Sequence, residues 1–287
     1  MRAAGLAAMT STHHDRALRF RALHRKGDPL VLPNAWDVAG ARIAEAAGAS
    51  AIATTSAGVA WSLGARDGGG LGRDRALEVV AGICAATGIP VTADLESGYA
   101  ASPGEVGDTT TRVLECGVVG VNLEDADRSG AAPLRPAGEQ GERFSAARQA
   151  ADRAGIPLYI NARIDTYLVA GGAGDQAALL ADTIDRAAGY LEAGADGIFV
   201  PGVVDPPTVS ALAEAVAAPL NIMAGPGAPS VAELAALGVA RISIGSAIAQ
   251  AAYALFRRAT KELLDDGSYR TLAEPLDYGE LNALFRG

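Results

Sequence analysis

Short apolar runs alternate with longer segments of helical spacing from about residue 30 onward. The runs are rich in β-branched residues and predict strands, whereas the segments are rich in Ala, Leu, Arg and Glu and predict helices. The pattern repeats eight times. The predicted strands are 30–35, 50–56, 89–95, 118–124, 157–164, 197–201, 220–224 and 241–245.

Glycine follows several helical segments just before the next strand, in AAGAS, ATGIP, ECGVV, RAGIP, EAGAD and ALGVA. Glycine accepts the left-handed conformation that ends a helix. Continuous apolar strands that alternate with helices require parallel pairing and helices on the sheet. Eight such units in roughly 250 residues indicate a closed (β/α)₈ barrel, the TIM barrel fold. The rival, a doubly wound open sheet, lacks a strand–GxGxxG–helix fingerprint in this sequence.

The domain organisation follows from the absence of any Pro/Ser-rich linker. We predict an N-terminal leader or helix over 1–25 and a single barrel domain over 26–287 that ends in a helical tail. The tail is expected to pack on a neighbouring subunit. The opening residues are too short and too polar for a secretory signal or a membrane span. Met9 is an alternative start to Met1.

Charge and composition restrict the chemistry. The chain has 287 residues with 24 Lys+Arg against 33 Asp+Glu, a net charge of -9, so nucleic acid and anionic membranes are disfavoured as partners. Cys84 and Cys116 lack CxxC spacing, which excludes a disulfide framework and favours a cytoplasmic location. His13, His14 and His24 all lie near the N-terminus. Any metal in the barrel is therefore expected to have oxygen ligands.

Carboxylates crowd the ends of two neighbouring predicted strands. Asp94 and Glu96 end the third strand and Glu124 ends the fourth. The carboxyl ends of barrel strands open on one face, so these acids are expected to converge. Like charges in a partly buried site repel strongly unless a cation is present. The set predicts Mg²⁺, with Mn²⁺ as a substitute, against the alternative that each acid forms a salt bridge or a helix cap.

Arg163 lies inside the apolar, β-rich run YINARIDTY. A buried guanidinium needs an anion, because its desolvation is costly when it is unpaired. We favour a bidentate clamp on a substrate carboxylate or a developing enolate. The alternative is a structural ion pair with Glu124 or Asp165.

Further candidate residues lie at or after the ends of the first two predicted strands. The small residues Thr55, Ser56 and Ala57 offer successive backbone N–H groups that predict a carboxylate nest. Asp67 precedes a Gly-rich stretch and is either a base carried by a mobile loop or an ordinary turn residue. Trp36, at the end of the first strand, either lines the pocket or packs in the core.

Four segments in order, TTSAGVAWSLGARDGG, VTADLESGYA, GVNLEDAD and INARIDTY, resemble the isocitrate lyase/phosphoenolpyruvate mutase superfamily. The resemblance runs over nearly the whole chain. It implies a Mg²⁺-dependent (β/α)₈ barrel that cleaves or rearranges C–C or P–C bonds of 2-oxo acids through enolate-like intermediates. It also implies a homo-oligomer, often a tetramer, in which the eighth helix is exchanged between paired subunits.

The same resemblance implies roles for individual residues. Asp94 matches a direct metal ligand, whereas Glu96 and Glu124 match acids that hold metal-bound water. The expected substrate contacts are Thr55, Ser56, Ala57, Arg163 and Asn221, with Asp67 at the gating side of the site.

The segment after the fourth strand, DADRSGAAPLRPAGEQ, departs from the family pattern. It has no Cys or His, which members that split isocitrate use as an acid, and it lacks the Lys and Asn of the mutase gating loop. The leading hypothesis is a Mg²⁺-dependent carbon–carbon lyase. It would act on a small 2-oxo or 2-hydroxy (di)carboxylate through a metal-stabilised enolate, by C–C cleavage or decarboxylation. The alternatives are a P–C bond enzyme, either a phosphonopyruvate hydrolase or a mutase, and a non-catalytic barrel that binds a 2-oxo acid.

Overall fold

The computed structural model describes residues 13–127, 130 and 132–285. All eight predicted strands are present, and the first of them is divided in two. The strands are β1 (Leu30–Leu32), β2 (Asn34–Ala35), β3 (Ile52–Thr54), β4 (Val91–Asp94), β5 (Gly120–Glu124), β6 (Tyr159–Arg163), β7 (Gly197–Val200), β8 (Leu220–Met223) and β9 (Arg241–Ser243).

The sheet is closed by its first strand. The strand order is β1-β9-β8-β7-β6-β5-β4-β3-β2, and every pairing is parallel. Leu30 of β1 pairs with Arg241 of β9, and Asn34 of β2 pairs with Ala53 of β3. Only Pro33, which has no N–H to donate, separates β1 from β2. The predicted (β/α)₈ barrel is therefore confirmed.

Helices follow the strands and cover the outside of the barrel. The first, α1, comprises residues 13–22. The other α-helices are α2 (Val38–Ala46), α3 (Ser56–Ser62), α4 (Arg73–Ala86), α5 (Pro103–Glu115), α6 (Ala137–Ala154), α7 (Thr166–Ala170), α8 (Gln176–Glu192), α9 (Pro206–Ala215), α10 (Val231–Ala236), α11 (Ala247–Asp266) and α12 (Tyr278–Ala283), with a 3₁₀ turn at Arg270–Leu272. Fully buried aliphatic side chains such as Ile160, Ile198 and Ile222 belong to one continuous core.

Glycine ends the helices as expected at all but one of the predicted positions. Gly48, Gly117, Gly155, Gly194 and Gly238 have positive φ angles. At ATGIP the prediction was wrong, because α4 ends at Ala86 with Thr87 in an extended conformation. The Thr87 hydroxyl donates to the Ile83 carbonyl at 3.2 Å. This side-chain hydrogen bond caps the helix where a left-handed glycine was expected.

The second strand is shorter than predicted. The sequence indicates a strand over 50–56, but β3 ends at Thr54 because Thr55 is the N-cap of α3. Its side chain accepts from the Gly58 N–H at 3.5 Å. Apolar residues lie on both sides of this junction, so the hydrophobic pattern did not show where the strand ends.

Helix α1 lies across the amino-terminal end of the barrel. Phe20 is fully buried there, and its ring centroid is 5.7 Å from that of Tyr159, the first residue of β6. Arg21 pairs with Asp196 at 2.7 Å. Residues 1–12 of the predicted leader, including Met1 and Met9, lie outside the described part of the chain.

Helix α11 and the tail after it are mostly exposed. Of the residues in α11, only Ala249 is buried, whereas Phe256 and Leu264 are 73% and 77% exposed. Tyr278 in α12 is 84% exposed. In the described part of the chain, no helix has the length and apolar character needed to cross a membrane.

Candidate active site

Asp94 stands at the carboxyl end of β4 beside the start of α3. The Ser56 hydroxyl donates to Asp94 Oδ2 at 2.8 Å, and the Ser56 backbone N–H points to the same oxygen at 3.4 Å. The backbone N–H of Asp94 donates to Thr54 Oγ1 at 3.0 Å. These contacts fix the position of the carboxylate in the barrel mouth.

Glu96 follows Asp94 in a tight turn of unusual backbone conformation. Both Glu96 and Tyr99 have φ angles of 51°, which are uncommon for residues other than glycine. Burial raises the pKa of Glu96, and the nearby carboxylates of Asp94 and Asp67 raise it further. Strained backbone of this kind collects at functional sites, where the surrounding structure holds it in place.

Two contacts hold the Glu96 carboxylate. The Gly69 N–H donates to Glu96 Oε2 at 2.8 Å, and the Tyr99 side chain is hydrogen-bonded to Glu96. Gly69 belongs to the Gly-rich loop that also carries Asp67. The loop is therefore attached to the acidic cluster through the backbone, and Asp67 lies within electrostatic range of Glu96.

Arg163, at the end of β6, is clamped by two carboxylates of this chain. Its Nε and Nη2 donate to the two oxygens of Asp165 at 2.6 and 2.9 Å, and Nη1 lies 2.9 Å from Glu124 Oε2. Burial alone would lower the pKa of Arg163, but the Glu124 and Asp165 carboxylates raise it. The ion pair that was the alternative to a substrate clamp is thus present. It uses Nε and both Nη atoms of the guanidinium and fixes its orientation.

A second buried network holds Asp165 from behind. The Asp165 N–H donates to Asp125 Oδ1 at 2.9 Å, and the Tyr190 hydroxyl donates to Asp125 Oδ2 at 2.9 Å. Arg186 Nη1 lies 3.2 Å from the same oxygen and also donates to the Arg135 carbonyl at 3.0 Å. Burial raises the pKa of Asp125. Helix α8 thereby supports both Arg163 and the end of the loop after β5.

The predicted carboxylate nest holds a carboxylate of the protein itself. Ser56 contacts Asp94, and Thr55 caps α3. Ala57 is buried in the first turn of the same helix. Trp36 is half-buried and packs against an apolar cluster that includes Val59.

Two asparagines lie inside the barrel with one amide atom unpaired. Asn221 accepts from the Ser243 hydroxyl at 3.4 Å, but its Nδ2 has no partner among the described residues. Asn161 donates to Asn122 Oδ1 at 2.9 Å, while its own Oδ1 has none. Buried amide atoms are rarely unpaired, so these two are available to a bound water or ligand.

The acids have the right chemistry for a hard cation held partly through water. Among residues 13–127, 130 and 132–285, no group of three His, Cys, Asp or Glu side chains could hold a metal ion. A cage of three direct ligands is therefore not present among these residues, although the Asp94 carboxylate is close enough to raise the pKa of Glu96. One direct carboxylate plus further acids that bind coordinated water is a typical Mg²⁺ arrangement. In that arrangement Asp94 would be the direct ligand.

The sequence analysis missed Tyr99, the support of Asp165 by Asp125, and the buried Arg241. Tyr99 carried no signal, although its partner Glu96 is only three residues away. The partners of Asp125 are distant in the chain. Arg241 had the same signal as Arg163, a cation inside an apolar strand, in the run GVARISIG. Its side chain is fully buried.

Comparison with known proteins gives one family. Residues 20–264 match the family model for phosphoenolpyruvate phosphomutase. A crystal structure of a "putative lyase/mutase" from Burkholderia cenocepacia J2315 is 39% identical, with a TM-score of 0.89, covering 96% of this chain and 98% of that one. An uncharacterised protein of Mycobacterium tuberculosis is 36% identical over 93% of this chain and 95% of its own length.

Two more distant matches differ in their chemistry. The 2-methylisocitrate lyase of Escherichia coli K12 is 30% identical over 72% of this chain and 69% of its own length. A phosphonopyruvate hydrolase solved in complex with oxalate and Mg²⁺ shares the fold, with 24% identity, a TM-score of 0.81 and 94% of each chain covered. Carbon–carbon lyases and P–C bond enzymes thus occur on the same barrel.

Proposed function

Since the chain belongs to the phosphoenolpyruvate mutase/isocitrate lyase superfamily, we propose that it is a Mg²⁺-dependent lyase for a small 2-oxo or 2-hydroxy (di)carboxylate. The reaction is C–C cleavage or decarboxylation through an enolate-like intermediate. The observation that carries the proposal is the pairing of the Asp94–Glu96 acidic cluster with the oriented Arg163 at one end of the barrel.

The acids and the arginine have different roles in the proposed reaction. Asp94, Glu96 and Glu124 would hold Mg²⁺, directly or through water. When bound, Mg²⁺ polarises the carbonyl of a 2-oxo acid and stabilises developing negative charge. Arg163, kept in one orientation by Asp165, would donate to a substrate carboxylate through the second N–H of Nη1 or Nη2, because one N–H of each already meets Glu124 or Asp165. Asn221 of β8, whose Nδ2 has no partner among the described residues, and Thr55 at the start of α3 would be further substrate contacts.

The composition of the loop after β5 favours a reaction without a protein acid on that side. Residues 125–140 contain no Cys, His or Lys. Decarboxylation requires none, because the C–C bond breaks toward the electron-withdrawing carbonyl and the resulting enolate takes a proton from solvent. We assign Asp67, next to the acidic cluster, to orient the substrate or to exchange protons with it on the side opposite the loop after β5.

The test is turnover of a panel of 2-oxo and 2-hydroxy dicarboxylates, beginning with oxaloacetate, with and without Mg²⁺. We expect Mg²⁺-dependent release of pyruvate or a related product. Asp94→Ala should abolish it and Arg163→Ala should reduce it by at least 100-fold, a loss of about 3 kcal/mol or more in transition-state stabilisation. Asp74→Ala, at a surface ion pair with Arg112, is the matched control. Normal turnover in Asp94→Ala or after chelation would refute the proposal.

Phosphorus chemistry is the second candidate, favoured by the family model itself, which describes a phosphoenolpyruvate phosphomutase. Phosphonopyruvate followed by ³¹P NMR separates the two. Release of phosphate or formation of phosphoenolpyruvate indicates P–C chemistry. Mg²⁺-dependent binding of a 2-oxo acid by calorimetry, without product from any substrate, would indicate the non-catalytic barrel.

We further propose that α11 is exchanged between paired subunits. Its exposed apolar residues Phe256, Leu263 and Leu264 follow the spacing of one helix face. An apolar groove of about 780 Å³ lies beside α2 and the first strand, lined in part by Val31 and Ile43. A 20-residue helix is about 30 Å long, enough to reach across a neighbouring barrel. The exchange would bury the exposed face of α11.

A further inference from the structure

The interior of the barrel contains a buried arginine that forms no ion pair with any of the described residues. Arg241, the first residue of β9, is fully buried, and its Nη2 donates to Asn122 Oδ1 of β5 at 3.1 Å. Since β9 and β5 are separated by three strands in the sheet order, the side chain crosses the barrel interior. Its Nε and Nη1 have no hydrogen-bond partner among the described residues.

The chain does not supply a carboxylate for this guanidinium. Asp94, whose β4 position pairs with Asn122 of β5, acts on Arg241 electrostatically but forms no ion pair with it in the described part of the chain. Residues 1–12, 128, 129, 131, 286 and 287 include no Asp or Glu. Burial lowers the pKa of Arg241 to about 10, so the side chain remains charged at neutral pH. A buried charge without a partner costs several kcal/mol.

Other unpaired polar atoms lie around the same place. The Tyr159 hydroxyl of β6 and Thr92 Oγ1 of β4 are buried and have no partner among the described residues. The Phe20 ring is their common neighbour: its centroid is 5.7 Å from the Tyr159 ring and 5.9 Å from Arg241 Cζ. A Cβ built on Gly120 would lie 2.6 Å from Phe20 and 2.9 Å from Thr92 Oγ1. The floor is thus rich in donors.

His24 packs against Tyr159, next to these unpaired polar atoms. Its ring stacks on Tyr159 with centroids 3.9 Å apart, and Nδ1 lies 2.9 Å from the Phe20 carbonyl, so Nδ1 is the donor. Nε2 is then an acceptor and would repel an anion. Among the described residues around this place, the unpaired donors that suit an anion come from Arg241, Tyr159 and Thr92.

We propose that a small monovalent anion, chloride under cellular conditions, binds beneath α1 at the barrel floor against Arg241 Nε and Nη1, with the Tyr159 and Thr92 hydroxyls as further donors. Water alone would satisfy the hydrogen bonds of Nε and Nη1 but would leave the guanidinium without an ion-pair partner. The anion joins β9, β6 and β4 below α1 and stabilises the closed floor. The site is independent of the proposed catalytic activity.

A bromide soak of crystals of the full chain tests the site directly. We expect an anomalous peak within hydrogen-bonding distance of Arg241 Nε or Nη1. Density for water alone at this position, or bromide only on the surface, would overturn the proposal.

Thermal unfolding supplies a solution test. In sodium bromide, compared with sodium gluconate at equal ionic strength, wild-type Tm should rise by roughly 4 °C at about thirty times the Kd, because the anion binds only the folded state. Arg241→Met should lose this rise, whereas Arg148→Met, which removes an arginine paired with Asp196, should keep it. If Arg241→Met does not fold, Tyr159→Phe should require roughly tenfold more bromide for the same rise. Equal Tm of the wild type in both salts would refute the site.

Discussion

Asp165→Asn tests whether Arg163 is held in place by its buried carboxylate clamp. Asp165 accepts from Arg163 at 2.6 and 2.9 Å, and the two side chains are 3% and 16% exposed. Asparagine would replace one acceptor oxygen with an N–H₂ group that faces a guanidinium donor. Breaking a buried ion pair costs about 3–5 kcal/mol, and we expect about 3 kcal/mol because Glu124 remains at 2.9 Å.

The assay is urea unfolding followed by circular dichroism, with Asp182→Asn as the matched control. Asp182 is also a doubly bonded arginine partner, at 3.1 Å to each oxygen from Arg186 Nε, but its side chain is 50% exposed. Solvent screens that pair, so its loss should cost less than about 1 kcal/mol. A loss of about 3 kcal/mol in Asp165→Asn corresponds to a fall in Tm of roughly 6–12 °C.

Activity gives a second readout of the same change. If Asp165 orients Arg163, kcat should fall in Asp165→Asn at temperatures where the variant is fully folded, and Asp182→Asn should retain wild-type kcat. Equal losses of stability in the two variants would show that burial does not strengthen the clamp. Unchanged kcat in folded Asp165→Asn would show that the orientation of Arg163 does not matter.

Three further predictions concern the floor, the barrel interior and helix α11. Burial and the Arg241 charge lower the pKa of His24 to about 3, so its contribution to stability is complete above about pH 6.5 and is lost as the pH falls toward 3. Between pH 7 and 5 the loss of unfolding free energy is about 2 kcal/mol, and urea titrations should find that His24→Phe does not show this loss. The same pH slope in both proteins would contradict the reasoning. Gly197→Ala would place a Cβ 2.2 Å from the Tyr159 hydroxyl and should cost about 2 kcal/mol or more in unfolding free energy, whereas Gly189→Ala, in open space on α8, should be neutral or stabilising. Phe256→Glu should shift the protein to a smaller species in light scattering if α11 is exchanged, and an unchanged oligomer would count against the exchange.

The barrel could be predicted from the chain because its pattern is local. Each strand is a short apolar run, each helix has an apolar stripe, and their alternation leaves few topologies. The acids of the site could be found for the same reason, since Asp94, Glu96 and Glu124 stand at strand ends whatever the details of packing. The one wrong helix stop, at Gly88, arose where a Thr87 side-chain bond replaced the expected glycine conformation.

The partners of each charge depended on long-range contacts. That Arg163 contacts both Glu124 and Asp165, or that Tyr190 supports Asp125 from 65 positions away, follows from the register of parallel strands and the packing of α8. Arg163 and Arg241 look alike in the sequence, each a cation in an apolar strand. In the barrel the first forms ion pairs with two carboxylates, whereas the second forms none with the residues that the structure describes.

The chain by itself thus determined the architecture and the location of the candidate site, because hydrophobic periodicity and the ends of strands are readable one segment at a time. Only the tertiary structure decided which charges are paired, which polar atoms are left unpaired and which apolar faces stay exposed. Pairing and burial depend on distances between residues far apart in sequence, and those distances exist only once the barrel has closed.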